Sequence, residues 1–370
     1  MCPPPSPPRK LSSPRVSFVN FFKSLFGAGV LALPHAMSTV GLPLATSIYS
    51  LVLVCVVISC HLLLEAKRKA SALSSLRGDG VPLRTYEDLS RYVLGPFWGS
   101  VSGGFVVVLN ICFAAGFVIC IRENMAAVYP SLSTPLLLSI LSPLLLLLGQ
   151  VRWLSDLVVF SFLSACIYFA GVIGASLSYS LSHWSPPDDL MEWRWGGIVA
   201  YTGTAVYALE GICLVLPCER AISDKTRTGG VVSSSLVIYG AVTMGYAAVA
   251  LSSGIVTPEC DIIVDCLDDG SGEGAAAAVA NTVRLALSAA LCLSHPIQLY
   301  PAVEILELAA ERLLSPRSGR DGQLARADPR EPGKLPPRTK GALGLVLLLG
   351  VFNMAVTGTS SFAKLVGITK

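Results

Sequence analysis

The stretch FGAGVLALPHA, Phe26 to Ala36, decides the fold because it combines strong apolar character with residues that break helices. Gly27, Gly29 and Pro34 stand where an uninterrupted helix would place leucine. An interior glycine lowers helix stability by about 1 kcal/mol, and an interior proline lowers it by about 3 kcal/mol. In a membrane, unwound backbone is tolerated only beside a cavity or inside protein. The stretch therefore predicts a broken helix next to a cavity.

The composition indicates that this helix belongs to a membrane protein. Hydrophobic residues make up 53% of the 370 residues and charged residues only 14%, against roughly 25% charged residues in soluble domains. The apolar residues form blocks of about 20, the length that crosses a bilayer. We predict an all-α, multi-pass protein whose expected partner is the lipid bilayer and not nucleic acid. The nine predicted spans are residues 18–40, 43–64, 99–120, 132–149, 154–181, 197–216, 230–252, 281–306 and 341–363.

Basic residues are unevenly distributed between the predicted loops. With the amino terminus in the cytoplasm, all but five of the 27 Lys and Arg residues, Lys23 included, fall on the cytoplasmic side. Cytoplasmic loops are enriched in these residues, so we expect a cytoplasmic amino terminus. The exceptions are Arg122, Arg194, Arg284, Lys364 and Lys370. Arg284 is interpreted as snorkelling to the interface. The plasma membrane and a vacuolar or lysosomal membrane both fit this pattern.

The predicted non-cytoplasmic loop, residues 253–280, is acidic and contains no Lys or Arg. Cys260 and Cys266 lie in it, in a compartment that we expect to be oxidising. A disulfide bond between them and two free thiols are both compatible with the sequence. Most of the other cysteines lie in apolar spans, where they behave as small core residues.

Span six repeats the pattern of span one. Its segment YALEGICLVLPCE, Tyr207–Glu219, is apolar, interrupted by glycine and closed by proline. It follows five spans, and a unit with an odd number of spans enters the membrane inverted when it is repeated. We therefore predict an inverted repeat, with these divisions: a disordered cytoplasmic tail 1–17, a first five-helix repeat 18–182, and a second, incomplete repeat 197–370 that contains a disordered cytoplasmic loop 315–340.

Two broken helices that meet near the midplane would expose free backbone groups to one cavity. Amide groups at a helix amino terminus favour a carboxylate, and carbonyl groups at a carboxyl terminus favour an ammonium group or another cation. Together they fit an amino-acid zwitterion. The alternative is that the glycines only allow close helix packing, as small residues do in membranes.

Three side chains are candidates for proton coupling. Glu210 is an acidic residue within the apolar part of span six, where an ionised carboxylate is costly. It could carry a coupling proton, or it could cap the break at Gly211. His35 and His295 could titrate near neutral pH, or they could serve packing alone. The chain contains no P-loop, paired CxxC, HExxH or GxSxG pattern. We expect no enzyme, catalytic residue, cofactor or metal site.

These residues resemble a known family. FVNFFKSLFGAGVLALPHA, Phe18–Ala36, is similar to the Lys-x-x-x-Gly-x-Gly-x-Leu-x-x-Pro signature of the amino acid/auxin permease family. YALEGICLVLPCE resembles its sixth helix, most closely in the proton-assisted amino-acid transporter and vacuolar transporter branches. TYEDLSRYVLG (Thr85–Gly95) and SHPIQLYPAVEIL (Ser294–Leu306) resemble the segments at the third and eighth helices. The resemblance runs from about Phe18 to Leu306.

The resemblance implies a LeuT-type bundle of two inverted five-helix repeats that works by alternating access. It implies secondary active transport, as symport, of small neutral amino acids, with protons more expected than sodium as the coupling ion. Carried over to this sequence, the substrate site would be formed by Gly27, Ala28, Gly29, Val30, Tyr207, Ala208, Glu210 and Gly211.

Three features depart from the family pattern. Asn20 stands where some proton-coupled relatives have histidine, and His35 replaces the tyrosine of a Leu-Pro-Tyr-Ala motif. Family members have ten or eleven spans, whereas this sequence ends at Lys370 after the ninth, so the carboxyl-terminal helices are expected to be missing. A non-transporting amino-acid sensor or scaffold, or a truncated inactive transporter, is therefore the alternative to a working transporter.

Overall fold

A computed structural model describes residues 12–27, 29–78, 83–149, 158–256, 262–267 and 274–314. Within these ranges the chain is helical except for turns, loops and one isolated bridge between Ser12 and Ile222. A π-helical segment, Tyr168–Gly174, joins α7 to α8. The helices are α1 Pro14–Ser24, α2 Gly29–Ser38, α3 Leu42–Arg77, α4 Tyr86–Leu94, α5 Pro96–Val128, α6 Thr134–Leu148, α7 Val158–Ile167, α8 Ala175–Ser182, α9 Ile198–Ala208, α10 Val215–Ala221, α11 Thr228–Ser252, α12 Ile263–Cys266 and α13 Ala275–Leu314.

Six helical segments are long and apolar enough to cross a membrane, and the bent pair α1 and α2 would make a seventh. The pair meets at 53°. The six are Leu42–Arg77, Pro96–Val128, Val159–Ser182, Trp195–Ala221, Lys225–Ser252 and Ala276–Ala310. These segments overlap predicted spans one to three and five to eight. Predicted span four is the 15-residue helix α6, shorter than the roughly 20 residues that cross a bilayer. Predicted span nine lies outside the described residues.

The outer surface of the bundle is apolar. Leu51, Ile58 and Leu62 of α3 are more than half exposed, which in water would be a large unfavourable patch and in lipid is the expected contact surface. Trp193 and Trp195, before α9, are also exposed. Tryptophan is enriched where a membrane meets water. The described part of the chain therefore has the surface of a multi-pass membrane protein.

The two broken spans lie in the centre of the bundle. Helix α2 packs against α9 and α11, while α1 packs against α7, α10 and α11. The core cluster includes Phe26, Val30 and Leu33 of span one, all of which are almost fully buried. The break in each span therefore lies beside the other broken span and away from lipid.

Glycines, and not prolines, mark the breaks. Helix α1 ends at Ser24 and α2 begins at Gly29, so Pro34 lies inside α2. It removes one backbone hydrogen bond there without ending the helix. Pro217 lies in the first turn of α10, where a backbone N–H would have no partner within the helix. The prediction that the prolines close the two broken segments is therefore corrected: both are accommodated within helices.

The amino-terminal region is helical earlier than predicted. Ser13 caps α1 by accepting a hydrogen bond from the Val16 amide at 3.4 Å, and Pro14 takes the first helical position, which suits proline. The end of the predicted disordered tail, 1–17, is therefore helical. Residues 1–11 and the predicted loop 315–340 lie outside the described residues.

Helix α4 is a short amphipathic helix that packs against α5. Thr85 and Asp88 form a reciprocal capping box at its start, with two hydrogen bonds of 3.2 Å. Gly95 then reverses the chain with φ +99°, a conformation that favours glycine. A Cβ atom at Gly99 of α5 would lie 2.6 Å from Arg91 Cβ, which requires glycine at this crossing. This close packing positions Tyr86 next to span six.

Candidate functional site

A central cavity lies between the two breaks. Its volume is about 30 Å³, room for about two water molecules. Side chains must therefore move before an amino acid can occupy it. Five lining residues come from span one, three from span six and four from α5, α11 and α13: Ser24, Leu25, Gly27, Gly29, Val30, Tyr207, Ala208, Glu210, Phe113, Phe117, Tyr239 and Gln298.

The cavity brings together most of the residues predicted to bind substrate. Those that line it are Gly27, Gly29, Val30, Tyr207, Ala208 and Glu210. Gly211 lies behind the cavity wall, where a Cβ atom would come within 2.3 Å of Leu25 Cδ2. Its role in this structure is thus the close packing that was the alternative interpretation. Ala28 lies outside the described residues.

Gly29 is a point of close approach between the two broken spans at the cavity. A Cβ atom there would lie 2.7 Å from Tyr207 Cδ1 and 3.3 Å from Ala208 Cα. Contacts under 3.0 Å are not tolerated without movement, and ordinary carbon contacts are about 3.5–4.0 Å. Only glycine fits at this position with Tyr207 in its present place.

Helix polarity gives the cavity opposite partial charges on its two walls. Helix α2 begins at Gly29, so the free amide groups of its first turn lie at the cavity. Helix α9 ends at Ala208, so the carbonyl groups of its last turn point toward the other wall, that of Ala208 with one hydrogen bond from Tyr239. The first end favours an anion and the second favours a cation. The arrangement can hold a carboxylate and an ammonium group at the same time.

In span one, side chains from inside the bundle bind the carbonyl groups that the break releases. Lys23 Nζ donates to Phe26 O at 3.3 Å. Tyr168 Oη, from the π-helical segment, donates to Gly27 O at 2.9 Å. Buried backbone groups require such partners in a membrane. The unwound conformation is therefore built into the bundle.

The break in span six is held in the same way. Tyr239 Oη of α11 donates to Ala208 O at 2.5 Å, and Tyr86 Oη donates to Ile212 O at 2.8 Å. Both breaks thus use hydroxyl groups that belong to neighbouring helices. We call Lys23, Tyr86, Tyr168 and Tyr239 the carbonyl donors.

Lys23 corrects the prediction made from the basic residues. That prediction placed Lys23 in the cytoplasm, but the residue is only 1% exposed and lies inside the bundle. Helix α1 begins at Pro14, so Lys23 is between two and three turns into the span. Its Nζ lies 5.2 Å from the centroid of the Tyr168 ring. Among the described residues no carboxylate lies within 4.0 Å of it.

Glu210 lies at the edge of the cavity. Its carboxylate interacts with the backbone amide and the thiol of Cys213, which fits the predicted capping of the break. Its Oε1 atom is buried, and no described residue gives it a hydrogen bond. That atom fits the predicted proton-binding role. The two interpretations of Glu210 therefore remain compatible.

The two histidines predicted as proton carriers do not line the cavity. His295 is fully buried, and neither ring nitrogen has a hydrogen-bond partner in the described part of the chain. It lies on α13 one turn before Gln298, which does reach the cavity. His35 is half-buried in α2. Their coupling role stays a prediction.

Two ion pairs that the sequence interpretation missed fix helix α10, which is the second half of span six in chain order. Glu219 is buried and pairs with Lys67 of α3. Arg220 pairs with Glu304 of α13 through both guanidinium nitrogens. We call these two pairs the α10 clamp. Since their members are up to 152 residues apart, no local pattern could have indicated them.

The amino-terminal segment closes over the same end of the bundle. Ser12 N donates to Ala221 O at 2.8 Å, and Ser223 N donates to Ser12 O at 3.0 Å. The residue just before α1 thus binds the residues just after α10. Together with the α10 clamp, these bonds fix the ends of spans one and six to one another.

On the opposite side of the bundle, Arg284 is buried, with 7% of its surface exposed, and donates to Asp265 at 3.4 Å. The snorkelling interpretation is therefore wrong: the side chain points inward to a carboxylate of the acidic loop. In the same loop Cys266 is disulfide-bonded. Cys260 lies outside the described residues, so the predicted pairing of the two stays a prediction.

Several lining residues were not predicted. Phe113 stacks against Tyr207 with ring centroids 5.1 Å apart, and a phenylalanine in an apolar span carries no signal. Gln298 does carry one, because it is polar within span eight. Its Nε2 donates to Asn110 Oδ1 at 3.4 Å. Polar residues inside apolar spans are therefore the sequence feature that could have identified this part of the cavity wall.

A comparison with protein families agrees with this geometry. The model for the family described as transmembrane amino acid transporter protein matches residues 10–369. The chain belongs to this transporter family. Membership confirms the resemblance drawn from the broken helices and makes the chain a multi-pass membrane protein of amino acid transport rather than an enzyme.

Individual members of the transporter family match over most of the chain. Amino acid transporter AVT3A of Arabidopsis thaliana is 27% identical over 333 residues, which cover 84% of this chain and 71% of that protein. Amino acid transporter AVT3C of the same plant is 26% identical over 322 residues, covering 80% and 70%. Vacuolar amino acid transporter 4 of Saccharomyces cerevisiae is 23% identical over 320 residues, covering 80% and 41%.

Proposed function

We propose that this protein is a secondary active transporter that moves small neutral amino acids by alternating access, coupled to protons, around the central cavity. The single observation that carries the proposal is the meeting of two broken spans at that cavity. The amide end of α2 and the carbonyl end of α9 supply complementary partial charges for the carboxylate and ammonium of an amino acid.

The lining supports a small, neutral substrate side chain. Leu25, Val30, Phe113 and Phe117 form an apolar wall, and the volume of about 30 Å³ leaves little room. Among the described lining residues Glu210 is the only charged side chain. In its ionised state it disfavours acidic substrates by repulsion of like charges.

The packing of the two broken spans supports an inverted-repeat mechanism of the LeuT type. Each span consists of two short helices joined by an unwound segment, and each segment is held by carbonyl donors from neighbouring helices. The α10 clamp closes the end of the bundle that carries the amino terminus. Opening toward that side would require α10 to separate from the long helices α3 and α13.

The inward position of Glu210 supports coupling to protons rather than to sodium. Its unpartnered Oε1 atom could carry a proton during substrate binding. His35 and His295, the other candidates from the sequence, lie in α2 and α13, away from the lining. The yeast relative is named as vacuolar, which supports a vacuolar or lysosomal membrane as the location of this protein, and the distribution of basic residues supports a cytoplasmic amino terminus.

Flux through reconstituted protein tests the proposal. The purified full chain would be placed in liposomes preloaded with unlabelled amino acids, and uptake of a ¹⁴C-labelled mixture of protein amino acids would be measured as counterflow. Small neutral amino acids should enter above the level of empty liposomes, and acidic ones should not. The mixture can be resolved by chromatography of the contents.

A sensor or scaffold would behave differently in the same preparation. Amino acids would raise its thermal unfolding temperature without any counterflow. That pair of results would overturn the transporter proposal and favour a binding protein. Counterflow without any effect of a pH gradient would overturn only the coupling to protons.

A further inference from the structure

Lys23 is a buried cation of α1, and no carboxylate among the described residues lies within 4.0 Å of it. Its ammonium group lies inside the bundle, 1% exposed, at the end of α1 and beside the unwound segment. The cavity residues and the α10 clamp do not include it. A buried charge without a partner is costly in a membrane and marks a functional group more often than a structural one.

The surroundings of the ammonium are those of a cation site. The Phe26 carbonyl accepts its hydrogen bond at 3.3 Å. The rings of Tyr168 and Phe26 present their faces at 5.2 and 5.9 Å from Nζ. Carbonyl oxygens and aromatic faces both attract cations. The Lys23 ammonium therefore fills the place at the break that a free cation would need.

We propose that Lys23 is a proton-binding site of the transport cycle, and that its ammonium acts as a tethered cation at the break of span one. The proposal rests on the coupling to protons proposed above. In one state the ammonium binds the Phe26 carbonyl. When the unwound segment rearranges, one N–H bond of the Lys23 ammonium breaks and its proton passes to water on one side of the membrane. A neutral Lys23 amine remains. Protonation from the other side restores the ammonium.

The link between proton and conformation follows from the geometry. Lys23 donates to the carbonyl of Phe26, which belongs to the unwound segment itself. The regular helix α1 ends two residues earlier, at Ser24. Any movement of that segment changes the surroundings of the ammonium and hence the affinity for its proton. By reciprocity, binding of the proton must bias the same movement. Span one would thus carry substrate and proton at adjacent positions.

Other titratable groups on the elements packed against α1 do not replace Lys23 in this role. Tyr168 and Tyr239 already donate to backbone carbonyls of the two breaks. Glu219, Arg220 and Glu304 are engaged in the α10 clamp. Glu210, the proton carrier proposed above, lies on the span-six side of the cavity, and His295 of α13 is buried with both ring nitrogens unpartnered among the described residues. It could pass a proton but has no contact with the unwound carbonyls.

Two variants separate proton binding from a merely structural contact. Lys23→Met removes the charge and keeps the length of the side chain. Lys23→Arg keeps the charge and a donor for the Phe26 carbonyl, but a guanidinium does not release its proton. A structural donor would be rescued by arginine, whereas a proton-binding site would not. The control is Arg15→Met, at an exposed position of the same helix.

The assay is accumulation of the ¹⁴C-labelled amino acid mixture in liposomes with and without a pH gradient of one unit. One coupled proton for each amino acid gives the wild type and Arg15→Met about a tenfold gain from the gradient. Both Lys23 variants should lose that gain, and Lys23→Arg should keep counterflow at a measurable rate. Proton uptake or release on addition of the amino acids, followed with a pH dye in weakly buffered detergent solution, should disappear in both variants.

The outcomes are distinguishable. A Lys23→Arg protein with the full gain from the gradient would overturn the inference, even if Lys23→Met failed to fold. If the wild type shows counterflow but no gain, coupling to protons fails and the inference fails with it. If the wild type shows no counterflow at all, the proposed transport function itself is wrong.

Discussion

Replacing Gly29 by alanine would place a methyl group between the two broken spans. Its Cβ atom would lie 2.7 and 2.8 Å from Cδ1 and Cε1 of Tyr207, so the ring would have to move by about 1 Å to regain ordinary contact. The ring is stacked on Phe113, so its movement would disturb that contact. Overpacking of this kind costs about 1–3 kcal/mol, which corresponds to a fall in affinity or uptake of roughly 5- to 150-fold.

The assay is initial-rate counterflow of the labelled amino acids in proteoliposomes, with thermal unfolding to confirm that the variant folds. Gly203→Ala is a matched control, because Gly203 lies in α9 of the same site and a Cβ atom there meets no atom within 4 Å. In a Tyr207→Ala background the clash is removed, so the penalty from Gly29→Ala should disappear. Wild-type uptake by Gly29→Ala alone would refute the placement of the site.

Three further changes test other parts of the account. Tyr168→Phe leaves Gly27 O without its donor, which should cost about 1–3 kcal/mol and lower the thermal midpoint and the amino acid affinity together; unchanged values would show that the bond at 2.9 Å is not needed. Glu304→Gln leaves Arg220 without a counterion, at a cost below the ~3–5 kcal/mol of a fully buried pair because both side chains are partly exposed. Glu304→Gln should raise maleimide labelling of Cys218, which is 2% exposed. A second change in the same protein, Arg220→Met, should reverse the effect. Glu210→Gln should flatten the pH profile of amino acid binding, measured by thermal stabilisation from pH 5 to 8; a profile like that of the wild type would remove Glu210 from proton binding.

The breaks and their meeting could be predicted from the sequence because their causes are local. Gly27 and Gly29 lower the helix stability of span one, and the odd number of spans in the repeat unit, five, predicts that the two broken segments are inverted relative to each other. Gly29 lies at the cavity that this pattern predicts, and Ala208 lies there as the family resemblance implies. The prolines misled the prediction, since Pro34 and Pro217 are compatible with the helices that contain them.

The donors that hold the breaks could not be predicted in the same way. Tyr168 is 141 residues from its acceptor Gly27, and Tyr86 is 126 residues from Ile212. Such pairs depend on helix packing, which one sequence does not specify. Lys23 was misplaced for a different reason: counting basic residues assigns every lysine before an apolar block to the cytoplasm. Its apolar neighbours, Phe22 and Phe26, were the sign that it lies inside.

Hydrogen–deuterium exchange, with and without amino acids, tests the central claim most directly. Amide groups in the first turn of α2, which begins at Gly29, and those of Gly211 and Ile212 at the break of span six have no partner within a helix, so they exchange unless a ligand binds them. A saturating mixture of small neutral amino acids should slow exchange in peptides that cover both breaks, and leave peptides from Thr134–Leu148 unchanged. Protection at one break alone, or at neither, would contradict a substrate site built from both.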